Sequence, residues 1–154
     1  MKPARYIFLN QGLEMSSGKC AAQAAHAETV AMSTLAALNN RVAELDPIKR
    51  TWLEQQGLLY EKWFGDGHYA KYVMRASDST QMHTIERYLN DRGFQTYMVI
   101  DEGHTEGTYF VPTALAVELV DKEDERTASI FGEFRKYKDK PPKSKPKKRL
   151  WSRR

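Results

Sequence analysis

A long alanine-rich segment, residues 17–38, constrains the fold of this chain more than any other feature. It contains no proline, and no glycine after Gly18, so it is compatible with a helix throughout. Ser16 or Ser17 can cap the first turn. Its small side chains let a neighbouring element approach closely. The segment therefore predicts a long helix that lies tightly against a β-sheet.

The remaining segments predict further strands and helices. The expected strands are 6–10, 69–76, 94–100 and 113–120, and residues 58–67 are expected to return the chain through a Gly-rich turn. The expected helices run from Asp46-Pro47 toward Gln56, from a cap at Ser77 or Asp78 to Gly93, and over about 123–137. The order β-α-α-β-α-β-β-α predicts an α/β fold, with an approximately four-stranded mixed sheet covered by helices on both faces.

Length and composition predict one domain, residues 1–136, followed by a tail, residues 137–154, because 154 residues with 41% hydrophobic content form one core. Cys20 is the one cysteine, so an intrachain disulfide is excluded, and no Cys/His cluster has metal-ligand spacing. We expect neither metal nor cofactor. The apolar run 6–9 is too short for a signal peptide or membrane span, which predicts a soluble, cytoplasmic protein without a membrane partner.

The positive charge is concentrated at the C-terminal end. Residues 135–154 carry eleven Lys/Arg against one acid, a net of +10; because the whole chain carries +4, residues 1–134 carry −6. Three prolines and closely spaced like charges predict a disordered tail. It is either a solubilising end or an arm for RNA or another polyanion, with Trp151 able to stack on a base. The candidate nucleic-acid contacts are Lys143, Lys145, Lys147, Lys148 and Arg149.

The stretch from Gly12 to Cys20 contains some of the parts of a phosphate-binding P-loop. That loop needs four residues between its glycines and a Ser/Thr after the lysine. Here five residues separate Gly12 from Gly18, and Cys20 follows Lys19. A thiol is a poor ligand for magnesium, so the P-loop interpretation is weak.

Three polar residues, Lys19, Gln23 and His26, share an arc of roughly 60° on the predicted helix. Lys19 also lies in the first turn beside Gly18, where free N–H groups and the helix dipole favour an anion. The stripe offers a cation, an amide and an imidazole for chemistry. The alternative is a solvated helix face on which His26 caps a backbone carbonyl.

A second polar group, "DEGHT" (101–105), follows a predicted strand, and Thr113 begins the next one. Loops at the carboxyl ends of strands commonly build sites. If the strands at Tyr6 and Phe94 are parallel, Asp101 and Lys19 emerge at the same edge of the sheet. The alternative is an ordinary Asp-Gly turn.

Together the two stretches resemble the archaeal/eukaryotic-type peptidyl-tRNA hydrolases. "GKCAAQAAHA" (18–27) is similar to the family pattern G-K-x-x-A-Q-x-x-H-A, and "DEGHT" with Thr113 is similar to its D-A-G-x-T segment and second threonine. The resemblance covers roughly residues 5–135. It implies hydrolysis of the ester that joins a peptide to the 3′ end of tRNA.

The chain departs from the family pattern at several positions. Ser17 replaces a second lysine, Glu102 an alanine and His104 an arginine, and the usual Pro-Gly is replaced around residues 108–110. The connection 39–67 is longer than usual. The lost cations concern tRNA binding more than chemistry, and the basic tail could compensate through phosphate contacts.

The resemblance implies a set of site residues with interchangeable roles. The catalytic candidates are Lys19, His26, Asp101 and Thr105, and the substrate-binding candidates are Gly18, Gln23 and Thr113. It also implies peptidyl-tRNA as partner, a homodimer, and ribosome contact through the tail as a further option. Two alternatives stay open: a Cys20–His26 dyad, disfavoured because the two point about 120° apart, and a non-catalytic tRNA- or ribosome-binding protein of the same fold.

Overall fold

The computed structural model describes residues 1–67, 69–102 and 109–138, with the side chains of Glu102 and Tyr109 left undescribed. The strands are β1 (Pro3–Asn10), β2 (Lys71–Ala76), β3 (Thr96–Glu102), β4 (Tyr109–Val117) and β5 (Val120–Asp121). The helices are α1 (Ser17–Asn39), α2 (Pro47–Gly65), α3 (Ser79–Asn90) and α4 (Glu125–Gly132), with short 3₁₀ turns at Gln11–Leu13 and Val42–Glu44.

The main sheet has the strand order β2-β1-β4-β3. β1 pairs with β2 in parallel, and β4 pairs with both β1 and β3 in antiparallel orientation. β1 and β3 therefore run in the same direction, and their carboxyl ends lie at the same edge of the sheet. This is the arrangement that brings α1, which follows β1, to the end of β3.

Helices cover both faces of the sheet. α1 packs on one face, where its alanines Ala27 and Ala31 meet Ala114 and Ala116 of β4. α3 and α4 pack on the other face, against Phe8, Leu115 and Val117 among others. Alanine opposite alanine lets α1 lie close to the strands, as the alanine-rich sequence predicts. The predicted α/β fold with a mixed sheet and helices on both faces is confirmed.

The second helix is longer than predicted: it was expected to run toward Gln56 with a Gly-rich turn over residues 58–67, whereas α2 continues to Gly65. The prediction was wrong because Gly57 is tolerated inside the helix while Tyr60 and Trp63 pack with Leu119 and Leu35. These two aromatic residues are one and two turns beyond Gln56. Tertiary packing thus overrides the local glycine signal.

The fourth strand begins and ends earlier than predicted. β4 starts at Tyr109 rather than Thr113, and a separate short strand, β5, pairs with Pro3 and Ala4 instead of continuing it. The break falls at Leu119, whose backbone N–H donates to Gln56 Oε1 (3.2 Å) and whose carbonyl accepts from Gln56 Nε2 (2.9 Å). A side chain of α2 thereby replaces the ladder hydrogen bonds.

The last helix is shorter than the predicted span 123–137. α4 is capped by Asp124 and ends at Gly132, after which Arg135 and Tyr137 hydrogen-bond to the outer edge of β2. Tyr137 N–H donates to Val73 O at 3.0 Å, and Arg135 O accepts from Arg75 N–H at 2.9 Å. β2 is an edge strand, so its free backbone groups compete successfully with further helix.

No helix of the described part is long and apolar enough to cross a membrane. The tail from residue 139 onward lies outside the described residues.

Candidate active site

The N-terminus of α1 lies at the edge of the sheet where β1 and β3 end. Ser16 caps the helix, and its side chain accepts a hydrogen bond from Lys19 N–H at 3.2 Å. The cap fixes the first turn, so that Lys19 and Gln23 point toward the sheet instead of into solvent. Both are buried, with exposed fractions of 9% and 5%.

Lys19 forms an ion pair with Asp101, the penultimate residue of β3. Lys19 Nζ donates a hydrogen bond to Asp101 Oδ2, and the two side chains are only 8% and 11% exposed. A buried charge is costly unless it is paired, so each of these residues requires the other. The pair joins two residues 82 positions apart in the sequence.

Thr113 and Gln23 form a second buried polar contact on the same helix face. Thr113 is fully buried, and its Oγ1 donates to Gln23 Oε1 at 2.7 Å. Thr113 is an extra residue in β4, because Val99 pairs with Ala114 while Ile100 pairs with Pro112. This β-bulge turns the threonine toward α1. This hydrogen bond uses the amide oxygen of Gln23, which leaves the amide nitrogen to donate a hydrogen bond to a substrate.

Asn10, at the end of β1, connects the elements that meet at this edge. Its Nδ2 lies within hydrogen-bond distance of Pro112 O (2.9 Å) and Ser79 Oγ (3.2 Å), and its Oδ1 accepts from Gly12 N–H (3.1 Å). The side chain is 1% exposed. Sequence reasoning missed this residue, since it identified Asn10 only as the end of the first expected strand, 6–10. The available signal was a polar residue directly after the apolar run 6–9.

Comparison of the chain with known proteins identifies the family to which it belongs. A model of the family described as peptidyl-tRNA hydrolase PTH2 matches residues 4–137. This chain belongs to the peptidyl-tRNA hydrolase PTH2 family. A peptidyl-tRNA hydrolase of Pyrobaculum aerophilum is 35% identical over 121 residues, which cover 75% of this chain and 88% of that relative. The Lys19–Asp101 pair therefore lies in a member of the peptidyl-tRNA hydrolase PTH2 family.

Within this PTH2 chain, Gly12 has a packing role. A Cβ at Gly12 would lie 2.5 Å from the backbone oxygen of Ser77, so only glycine allows the 3₁₀ turn to approach the start of α3. α1 begins at Ser17, after the turn has ended. Packing thus accounts for the glycine without a bound phosphate, and the P-loop interpretation gains no support from this segment.

His26 and Cys20, the two members of the alternative dyad, have different surroundings in α1. His26 is exposed, although the predicted arc grouped it with Lys19 and Gln23. Cys20 is buried, and its Sγ lies 3.3 Å from Tyr137 Oη. A Cys20–His26 dyad is thus excluded in this structure. The alternative of a wholly solvated face is also wrong, because Lys19 and Gln23 are buried and only His26 of the three is exposed.

Gly18 lies exposed in the first turn of α1, next to Lys19. A Cβ built on it would meet no atom within 4 Å among the described residues. Packing within the described structure therefore does not require a glycine here. The open space beside Lys19 is consistent with close approach of a substrate to the helix N-terminus.

Several predicted site residues fall outside the described residues. They are Thr105, between β3 and β4, and the tail residues Lys143, Lys145, Lys147, Lys148 and Arg149. Among the described residues, no group of three or more His, Cys, Asp or Glu could hold a metal ion.

A separate buried polar cluster lies between α2 and the sheet. Arg5 is 1% exposed and donates through Nε and Nη2 to the two carboxylate oxygens of Glu28, each at 3.2 Å. Glu118 accepts a hydrogen bond from Trp52 Nε1, and burial raises the pKa of its carboxyl to about 7. Burial, with the nearby Glu118, also raises the pKa of Tyr97 to about 12. Sequence reasoning found none of these residues.

Proposed function

We propose that this protein hydrolyses the ester bond between a peptide, or an N-blocked amino acid, and the 3′-terminal ribose of tRNA, and so recycles peptidyl-tRNA. The observation that carries the proposal is the buried Lys19–Asp101 pair at the N-terminus of α1, in a chain of the peptidyl-tRNA hydrolase PTH2 family. The related P. aerophilum protein bears the same activity in its name.

Ester hydrolysis needs a positioned water, stabilisation of the oxyanion and a proton for the leaving hydroxyl. In our proposal the Asp101 carboxylate orients the water that attacks the ester carbonyl. Lys19 then stabilises the negative charge that develops on the carbonyl oxygen, or binds the terminal phosphate. The bond between the carbonyl carbon and the ribose 3′ oxygen then breaks, and the 3′ oxygen takes one proton of the attacking water. The peptide keeps the water oxygen as a carboxylic acid, which releases the second proton to solvent and becomes a carboxylate.

Gln23 and Thr113 position the substrate in this scheme. The hydrogen bond from Thr113 leaves the amide nitrogen of Gln23 as a donor toward the ester carbonyl. Gly18 leaves room for the substrate beside Lys19. His26, exposed about two turns beyond Lys19 on α1, and Thr105 complete the proposed catalytic set. His26 is better suited to contact tRNA or the leaving ribose than to touch Asp101.

Further properties belong to the proposal. We expect catalysis without a metal ion or other cofactor, a cytoplasmic location and a homodimer, as the family resemblance implies. We also expect the basic tail to bind tRNA phosphates through Lys143, Lys145, Lys147, Lys148 and Arg149, with the ribosome as a second candidate ligand. The domain then comprises residues 1–136 and the tail residues 137–154.

The test is release of a labelled N-acetyl-amino acid from tRNA by the purified full-length chain, with and without EDTA. We expect multiple turnovers in both conditions. The same preparation is also titrated with deacylated tRNA to measure binding. Binding of tRNA with no release of the label would overturn the hydrolase proposal in favour of a non-catalytic tRNA-binding protein, and a loss of release in EDTA would overturn metal independence alone.

A further inference from the structure

Phe110 stands out among the residues around the candidate site. It is 75% exposed, the most exposed aromatic side chain among the described residues for which a fraction is given. Its φ of +48° lies in the left-handed region, which a bulky side chain occupies at a cost in free energy. A large apolar ring thus gains little from burial and sits on a strained backbone. Neither feature is explained by the stability of the folded chain.

A second β-bulge in β4 produces this position. Asp101 pairs with Val111 and Glu102 pairs with Tyr109, so Phe110 is the extra residue between them. The first bulge of the same strand delivers Thr113 to Gln23. Bulges next to active sites commonly re-aim side chains. The two bulges of β4 therefore flank Val111 and Pro112, and one of them already presents a site residue.

Phe110 is close to the proposed reaction centre. Its Cα is one residue, about 3.8 Å, from that of Val111, and paired residues on antiparallel strands lie about 4.5–5.5 Å apart. The Cα atoms of Phe110 and Asp101 are therefore at most about 9 Å from each other. An ester held at Lys19 and Asp101 would therefore lie within about one nucleotide length of the Phe110 backbone.

We infer that Phe110 is a substrate-binding residue, whose ring stacks on a base of the single-stranded 3′ end of the substrate tRNA. The inference deepens the proposed function and rests on it. The side chains of the peptide vary between substrates, whereas every peptidyl-tRNA carries a base on the ribose that bears the ester. Every base has a π-face, and exposed aromatic side chains are the usual platforms for unpaired bases.

Three substitutions separate stacking from packing and strain. Phe110→Trp keeps an aromatic face, and Phe110→Leu keeps apolar bulk without one. Phe110→Gly removes the ring and also relieves the positive φ, so this variant is expected to fold at least as well as the parent. The matched control is Phe64→Leu. Phe64 is 47% exposed and packs on Tyr69, which precedes β2 at the opposite edge of the sheet.

Hydrolysis of N-acetyl-aminoacyl-tRNA gives the first readout, with KM and kcat measured separately. We expect Phe110→Leu and Phe110→Gly to raise KM by about tenfold with little change in kcat, as loss of one base–aromatic stack predicts. Phe110→Trp and Phe64→Leu should keep the parent KM. An unchanged KM in both Phe110→Leu and Phe110→Gly would overturn the inference.

Titration with a short single-stranded RNA ending in CCA gives the second readout and does not depend on catalysis. The parent chain should bind it more tightly than Phe110→Gly does, by a similar factor. If the parent chain fails to hydrolyse the tRNA ester, the proposed function is wrong, and this titration still decides on stacking. If Phe110→Gly binds the RNA unchanged but sediments differently from the parent, the ring serves contact between copies of the chain and the inference is wrong.

Discussion

At the scale of single residues, Lys19 and Asp101 determine each other's position. The sequence places a lysine in the first turn of a helix and an aspartate after a strand, and the strand directions then bring them to one edge. The pair could be predicted, because placing Lys19 after β1 and Asp101 at the end of β3 required only that these two strands run in the same direction. Phe110 was not found, and Thr113 was found only through the family resemblance, since a bulge shifts which residue faces which element and leaves no periodic signal in a sequence.

Other residues of the molecule were unpredictable for a different reason. Arg5 looks like an exposed basic residue near the N-terminus, yet it is buried against Glu28 and Tyr60. Asn10 looks like part of a turn, yet it connects β1, β4 and α3. In each case the partners are distant in the sequence, and single-sequence patterns report only on near neighbours.

The buried Glu118 predicts a dependence of stability on pH. Its pKa is about 7 in the folded protein against an ordinary value of 4.5, so the protonated form is favoured by folding. The stability it contributes is present below pH 4.5 and is lost as pH rises through about 7. The loss is up to about 3 kcal/mol of unfolding free energy. Glu118→Gln keeps an acceptor for Trp52 and does not titrate.

Urea unfolding at pH 4.5 and pH 8 measures this effect. The variant should gain stability relative to the parent as pH rises. Glu54→Gln, at an exposed site on α2, the helix that carries Trp52, should follow the parent. Parallel pH curves for the Glu118 variant and the parent would show that the carboxyl does not titrate as described.

At the scale of helices and strands, the sequence predicts which elements exist better than where they end. α1 begins at Ser17 as its serine caps predict, and α3 is capped by Asp78. The end of α2 was missed because Gly57 is a local signal, while Tyr60 and Trp63 act through contacts with α1 and Leu119. The end of α4 was missed because pairing with the edge of β2 competes with the helix.

Two glycine substitutions test how the elements pack. Gly12→Ala places a Cβ 2.5 Å from the Ser77 oxygen, so the 3₁₀ turn and α3 must separate, and we expect a loss of about 1–3 kcal/mol in unfolding free energy. Gly57→Ala meets no atom within 4 Å in the middle of α2 and should gain about 0.5–1 kcal/mol. Urea unfolding of both variants provides the measurement. Equal effects of the two substitutions would refute the close approach at Gly12.

At the scale of the whole molecule, charge is divided between an acidic body and a basic tail. Residues 139–154 contain eight Lys/Arg and one acid. The described chain ends at Lys138, whose carbonyl oxygen accepts a hydrogen bond from Gln11 Nε2 at 3.1 Å. Gln11 directly follows β1 at the edge that holds Lys19. The tail therefore departs from the side of the molecule where the proposed substrate binds.

Truncation after Lys138 tests the proposed role of the tail. KM for N-acetyl-aminoacyl-tRNA should rise at low salt, and the slope of log KM against log salt should fall by roughly 3–5, since fewer counterions are released. A full-length chain with glutamine at 143, 145, 147, 148 and 149 is the matched control, because it keeps the length and loses five charges. A tail that only solubilises the protein would leave both KM and the slope unchanged.

The central claim is that the Lys19–Asp101 pair performs the hydrolysis, and Asp101→Asn tests it most directly. Because this change leaves Lys19 buried without its carboxylate, some loss of stability is expected. Glu28→Gln is the matched control: it likewise removes the carboxylate partner of a buried cation, Arg5, but on α1 about 14 Å along the helix from Lys19.

The measurement is kcat for N-acetyl-aminoacyl-tRNA, at a temperature where circular dichroism shows both variants folded. We predict a fall on the order of 10²-fold or more for Asp101→Asn and little change for Glu28→Gln. A folded Asp101→Asn variant with parental kcat, or equal losses in both variants, would contradict the assignment of catalysis to this pair.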